Sequence, residues 1–258
     1  MSHKIYVVGI GPGAYEQMTV KAADVLRQSD VIIGYTVYID LVRDHLPGKQ
    51  FLSTPMTKET DRCRMAFSEA RKGKTVSVIC SGDAGIYGMA GLMYEIGAQY
   101  PDTELEVIPG VTAGTLSDRE VIRGVTAATA GAALLGAPLI HDFCVISLSD
   151  LLTPWETIEK RILAASRADF SVCLYNPSSK KRRDYLKKAC ELMLKYKSPD
   201  TVCGIVKNIG REGEEKSLLT LQELKDAEAD MFTTVFVGNS QTKNLSEAMV
   251  TPRGYQDV

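Results

Sequence analysis

The chain has 258 residues, 45% hydrophobic and 24% charged, which suits a globular protein of one large domain or two smaller ones. A formal net charge of −2 gives no whole-molecule field for nucleic acid. The start, MSHKIYVVGIG, lacks the basic head, apolar core and cleavage site of a signal peptide, and the uncharged stretch 124–140 is short for a membrane span. A cytoplasmic protein without nucleic-acid or membrane partners is therefore expected, with 124–140 as a buried helix.

In chain order, KIYVVGI (4–10) reads as a strand ending in glycine, and 19–27 as a helix carrying Ala22, Ala23, Val25 and Leu26. VIIGY (31–35) is a second buried strand. A polar helix over 58–72 is closed by Gly73. TVSVIC (75–80) is a third strand, 89–99 a helix and LEVI (105–108) a fourth strand. A second block begins near Ala128, with strands expected at 143–148, 171–175, 201–206, 216–221 and 233–238 and helices at 154–165, 178–197 and 221–227. KNIGREGEEKS joins two of these strands closely enough for a hairpin, so the second sheet should be mixed. The fold class expected is α/β with two α/β domains, 1–113 and 128–258, joined through 114–127. A crevice between domains is a common place for a ligand.

Six cysteines are scattered without CxxC spacing and three histidines stand apart, so no metal site is expected. The cysteines near apolar runs read as small buried hydrophobes in a reducing compartment.

Four loops could carry chemistry. GIGPG (9–13) follows the first strand, where glycines let backbone approach a ligand; a plain tight turn would look the same. It departs from the dinucleotide GxGxxG pattern. Pro12 removes an amide, and Asp30 precedes the second strand instead of ending it. CSGDAGIYG (80–88) sets three glycines around Asp83, with Tyr87 at the rim. It could meet both charges of an amino-acid zwitterion, or Asp83 could be satisfied by local amides as in an Asx turn. PGVTA (109–113) is the third loop. In YNPSSKKRR (175–183), Asn176 or a following serine could cap a helix whose first turns then carry Lys180, Lys181, Arg182 and Arg183. Cations are disfavoured there, which hints at an anionic ligand, though a solvated basic face is the plainer reading.

GIGPG, SGDAGIYG and PGVTA, in that order, resemble the tetrapyrrole methyltransferases that use S-adenosylmethionine. VIIGYTVYIDLV (31–42), KETDRCRMAFSEARKGKTVSVICSGDAGIYGMAGL (58–92), LLGAPLIHDFCVISLSDLLTPWETIEKRI (134–162) and LYNPSSKKR (174–182) are most similar to the branch acting on precorrin-3B or cobalt-factor III at ring carbon 17. The resemblance covers nearly the whole chain. It implies a homodimer of two-domain α/β subunits, with the cofactor folded between the domains. Carried over by match, Pro12 lies beneath the cofactor. Ser81, Gly82, Asp83 and Ile86 hold its methionine end, Thr112 and Ala113 lie near it, and Asn176 and Gly210 surround the adenosine. Lys180, Lys181, Arg182, Arg62 and Arg211 are the expected partners of the carboxylates on an anionic tetrapyrrole substrate. The implied reaction is methylation at carbon 17 with ring contraction. His141 and Asp142 are the catalytic candidates for its proton movements, with Asp150 a weaker third. A histidine entering a strand and an aspartate capping a turn would need no such role. Methylation at another ring carbon, a nicotinamide oxidoreductase, and a non-catalytic tetrapyrrole carrier or S-adenosylmethionine sensor are the rival readings.

One departure from the family pattern stands out. EVIPGVTA (106–113) recurs as EVIRGVTA (120–127), with Arg123 in place of Pro109. The simplest account is a tandem duplication inserting 114–127. Pro109 suits a turn ending a strand, and Arg123 suits a helix. Ser117 and Glu120 have capping-box spacing, but Gly124 and the β-branched Val121, Ile122, Val125 and Thr126 oppose a stable helix. The first copy is expected to form strand 105–108 and cofactor loop 109–113, and the second a loop or a frayed extension of the next helix.

Overall fold

The structure is a computed structural model and describes residues 3–11, 13–86, 88–111, 125–178 and 183–254. The chain forms two compact units. One comprises Met1–Thr129 and takes in the chain from Pro252; the other is Ala130–Thr251.

In the first unit the elements are β1 (His3–Gly9), α1 (Val20–Gln28), β2 (Val31–Tyr35), α2 (Thr36–Arg43), β3 (Gln50–Thr54), α3 (Glu59–Ala70), β4 (Val76–Cys80), α4 (Ala90–Gly97) and β5 (Thr103–Ile108). The five strands make one parallel sheet in the order β3-β2-β4-β1-β5. Central strands read as unbroken apolar runs because both faces are covered: Ile5, Val7, Val8, Val31, Ile32 and Ile33 are fully buried. Each such side chain contributes about 1.5–3 kcal/mol. Thr19 starts α1 by accepting the Ala22 amide at 3.1 Å. Ser29 follows it, its hydroxyl bonded to Val25 O and Ser77 Oγ. Asp30 accepts the Thr75 amide at 2.8 Å, which fixes it at the amino edge of the sheet. A ribose-binding carboxylate would stand at the carboxyl edge.

The chain passes to the second unit through α5 (Ala127–Leu135), the core of the helix expected from the uncharged stretch. There follow β6 (Gly136–Ala137), β7 (Phe143–Ser147), α6 (Trp155–Arg167), β8 (Ser171–Tyr175), α7 (Tyr185–Met193), β9 (Val202–Lys207), β10 (Glu215–Thr220), α8 (Leu221–Leu224), β11 (Thr233–Val237), β12 (Lys243–Leu245) and β13 (Ala248–Val250). A mixed sheet runs β10-β9-β11-β8-β7, and a three-stranded ribbon runs β12-β13-β6. β9 and β10 form the antiparallel pair expected from their short link. β7, β8 and β9 point one way and β10 and β11 the other. Lys197 lies at the end of this sheet where β8 begins and β11 ends, its side chain 2% exposed and its Nζ donating to Asp169 Oδ1, Phe170 O and Gly238 O. Burial pulls its pKa down, and Asp169 opposes that.

The helix expected over 178–197 is shorter. Ser178 is buried outside it, and α7 begins at Tyr185 after Asp184, which makes no side-chain cap bond. Neither Asn176 nor Ser178 caps it. All six cysteines are free thiols and five are buried; burial pushes Cys80 up to about 12.

Candidate functional site

The carboxyl ends of β4, β1 and β5 lie side by side and bring the glycine loops of the first unit to one edge. Gly11 and Gly82 exchange both amide bonds, at 3.1 and 2.8 Å. The Ile10 amide donates to Cys80 O. A Cβ on Gly110 would lie 2.1 Å from Gly82 O, and one on Gly9 would lie 2.7 Å from both Gly110 N and Gly82 O. Three strand ends meet here backbone to backbone, and only glycine permits it.

Asp83 locks this meeting. Its Oδ1 accepts the Gly85 amide and its Oδ2 the Gly110 amide, both at 2.8 Å, with the residue 3% exposed. Burial raises its pKa to about 6, against the two amides that favour the charged form. Asp83 is thus met by one local amide and one long-range amide. Ser81 is exposed beside it and Ile86 half-buried. Gly82 has φ +66°, and a Cβ there would meet nothing within 4 Å. Among the described residues, this edge therefore offers the open backbone of Gly82 and the exposed Ser81 hydroxyl. That donor set fits the amino-acid end of an S-adenosylmethionine molecule, which needs both donors and acceptors.

The two copies of the octapeptide differ where they are described. Glu106, Val107 and Ile108 pair with Tyr6, Val7 and Val8 of β1. Gly110 is held by Asp83, and Val111 is 7% exposed. In the second copy Val125 is 38% exposed, and Ala127 already opens α5. Pro12, Thr112, Ala113, Lys180, Lys181 and Arg182 lie outside the described residues, as do Tyr87 and the rest of the second copy, 120–124.

In the second unit, Asn176 follows β8 at φ +52°, a conformation asparagine tolerates, and its Nδ2 donates to Ser147 Oγ at 3.0 Å. Gly210 stands in the turn after β9 at φ +70°, its amide donating to Glu214 Oε2 at 2.6 Å. Arg211 is exposed in the same turn, its guanidinium 5.2 Å from the Phe232 ring centroid. β8 and β9 run in the same sense, so Asn176, Gly210 and Arg211 share one edge of the sheet. His141 and Asp142 precede β7 and therefore sit at the opposite edge, a strand length or roughly 16 Å away. Both are exposed, and His141 Nδ1 accepts the Asp142 amide at 2.7 Å, which leaves Nε2 as the ring's other nitrogen. Asp150 accepts the Tyr185 hydroxyl at 2.6 Å.

Arg62 departs most from its expected place. It is 4% exposed, with Nε donating to Thr54 Oγ1, Nη2 to Pro55 O and Nη1 to Met89 Sδ. Its guanidinium is enclosed by its own unit instead of standing out to meet a carboxylate. Its position on α3 gave no sign of this, because Arg64 two residues on is equally cationic in sequence. Among the described residues, no group of three acidic, cysteine or histidine side chains is placed to hold a metal ion, and no helix is long and apolar enough to cross a membrane.

Two stretches, 4–117 and 115–225, match the family described as Tetrapyrrole (Corrin/Porphyrin) Methylases. The matches meet at 115–117, between the two octapeptides. Over 256 residues the chain is 47% identical to the cobalt-factor III methyltransferase of Priestia megaterium, covering 99% of itself and 46% of that protein. It thus spans about half the length of that relative. It is 46% identical over 250 residues to a probable cobalt-factor III C(17)-methyltransferase of Salmonella typhimurium, covering 96% of this chain and 98% of that one. A protein of the same name from Methanocaldococcus jannaschii is 43% identical over 261 residues, with 98% of each chain covered.

Proposed function

The chain belongs to the tetrapyrrole (corrin/porphyrin) methylases, and from that premise we propose that it methylates carbon 17 of a tetrapyrrole ring with contraction of the macrocycle, in cobalamin biosynthesis. Near-full-length identity of 46% to a relative named for C(17) methylation carries this reading. The relatives' names favour cobalt-factor III over precorrin-3B as substrate.

S-adenosylmethionine supplies a methyl group already activated on a sulfonium sulfur. What remains for this chain is to hold two molecules in register, which is worth several kcal/mol of barrier when the reacting atoms are held about 3–3.5 Å apart. Ser81, Gly82 and Ile86, on the edge locked by Asp83 and Gly110, hold the methionine end. Asn176 and Gly210 hold the adenosine, and Pro12, Thr112 and Ala113 complete its surroundings. Arg211, Lys180, Lys181 and Arg182 meet the carboxylates of the macrocycle. His141 and Asp142 stay the candidates for moving protons during contraction; because they stand at the opposite edge of the second sheet from Asn176 and Gly210, that role requires the macrocycle to extend to that edge. The enzyme works as a cytoplasmic homodimer, which sedimentation of the purified protein would test.

The deciding assay incubates the protein with methyl-labelled S-adenosylmethionine and either precorrin-3B or cobalt-factor III. Label in a ring-contracted product is expected. Binding of both ligands without turnover would leave a carrier or sensor, and label in an uncontracted ring would point to another carbon.

A further inference from the structure

We propose that Arg62 is a positioning residue for the methyl donor, bracing the 81–88 loop from behind. This rests on the reading above, in which that loop holds the donor's methionine end.

The loop leaves β4 at Cys80 and re-enters regular structure at Met89, just ahead of α4. Those two residues close its mouth directly, since the Met89 amide donates to Cys80 Sγ at 3.4 Å. Arg62 then braces the Met89 side. Its Nη1 reaches Met89 Sδ at 3.7 Å, while Nε and Nη2 are anchored on Thr54 Oγ1 at 2.9 Å and Pro55 O at 3.2 Å. One planar fork thus joins three segments: the end of β3, the first turns of α3 and the foot of the loop. β3 and β4 are parallel to one another through β2, so their ends lie at the same edge.

The choice of an arginine here is not explained by stability. Its described acceptors are a hydroxyl, a carbonyl and a thioether, none of them charged. An enclosed cation so placed carries a desolvation cost that a methionine of similar volume would avoid. What methionine lacks is the rigid fork that sets the spacing between Thr54, Pro55 and Met89, and lysine, a single flexible point donor, lacks it too. Arg62 touches neither donor nor macrocycle in this account. It acts through Met89 on the loop whose open backbone the donor rests on.

The test uses the intact protein and three variants: Arg62→Met, Arg62→Lys and Thr54→Val. Thr54→Val removes the Nε acceptor, along with the long 3.5 Å bond from Thr54 Oγ1 to Lys58 O, and keeps the protein testable should the arginine variants fail to fold. Donor and tetrapyrrole dissociation constants are measured separately, well below each variant's melting temperature. Arg62→Met should weaken the donor about tenfold, or about 1.4 kcal/mol. Arg62→Lys and Thr54→Val should fall between it and the wild type, and tetrapyrrole affinity should not change. Equal loss of both ligands would assign Arg62 to general folding, and unchanged donor affinity in a folded Arg62→Met would remove the brace; either result overturns the proposal. A wild type that binds no S-adenosylmethionine would instead strike the functional reading on which it stands.

Discussion

Replacing Asp83 with asparagine removes a buried negative charge and keeps the side chain's size. In the native protein burial lifts the pKa from 3.8 to about 6 despite the Gly110 and Gly85 amides. The folded state then holds the proton more tightly than the unfolded chain does. The resulting stability is present in full below about pH 4, falls as pH rises through about 6, and is level above that. The whole difference is about 3 kcal/mol. Asparagine does not titrate. It can accept only one of the two amides and turns an NH₂ toward the other, which costs about 1–3 kcal/mol at every pH. Denaturant unfolding of both proteins at steps between about pH 4 and pH 8 isolates Asp83, because every other titrating group is shared. Relative to the variant, the wild type should lose about 3 kcal/mol between the acid and neutral ends. A difference that stays level across that range would refute the buried, doubly amide-bound carboxylate.

Gly110→Ala sets a Cβ against Gly82 O at 2.1 Å, backbone that cannot yield, so thermal unfolding should show a loss of about 3 kcal/mol or more. Gly210→Ala, where a Cβ would meet nothing within 4 Å and only φ +70° opposes it, should cost about 1–2 kcal/mol. Lys197→Met leaves Phe170 O and Gly238 O without their donor at the end of the second sheet and should cost about 3 kcal/mol by urea unfolding. Deleting 114–127 joins the first VTA to α5 in place of the second; steady-state methyl transfer within a few-fold of wild type is expected, and loss of donor binding would show that the second copy is the one in use.

The fold was legible wherever apolar runs were long and uninterrupted. β1, β2, β4 and β8 announce themselves because a parallel or central strand is covered on both faces. α2 and β3 escaped notice. Thr36, Val37 and Ile39 give a helix the residues of a strand, and β3 is an edge strand with two polar ends, QFLST. The ribbon strands β6, β12 and β13 are two or three residues each, too short for any periodicity. The candidate site was legible in its loops but not in its contacts. Glycines in sequence show that backbone must come close; they do not show that Gly110 closes on Gly82 or that Asp83 spans to the loop after β5. Arg62 was the hardest to place, because a charged residue near a binding loop reads as a surface partner until its burial is known.

The paired octapeptides have a consequence for how the chain folds. The sheet has one position beside β1, on the side away from β4, and the sequence carries two segments able to pair there, Glu106-Val107-Ile108 and Glu120-Val121-Ile122. The first is favoured by the shorter closure from α4, and its glutamate meets both Lys4 and Lys21. The second repeats these three residues but not the Thr103-Glu104-Leu105 that pair with His3, Lys4 and Ile5, so it is the weaker competitor. A mutation that weakens the pairing of Glu106 should therefore shift strand exchange toward the downstream segment before it unfolds the unit.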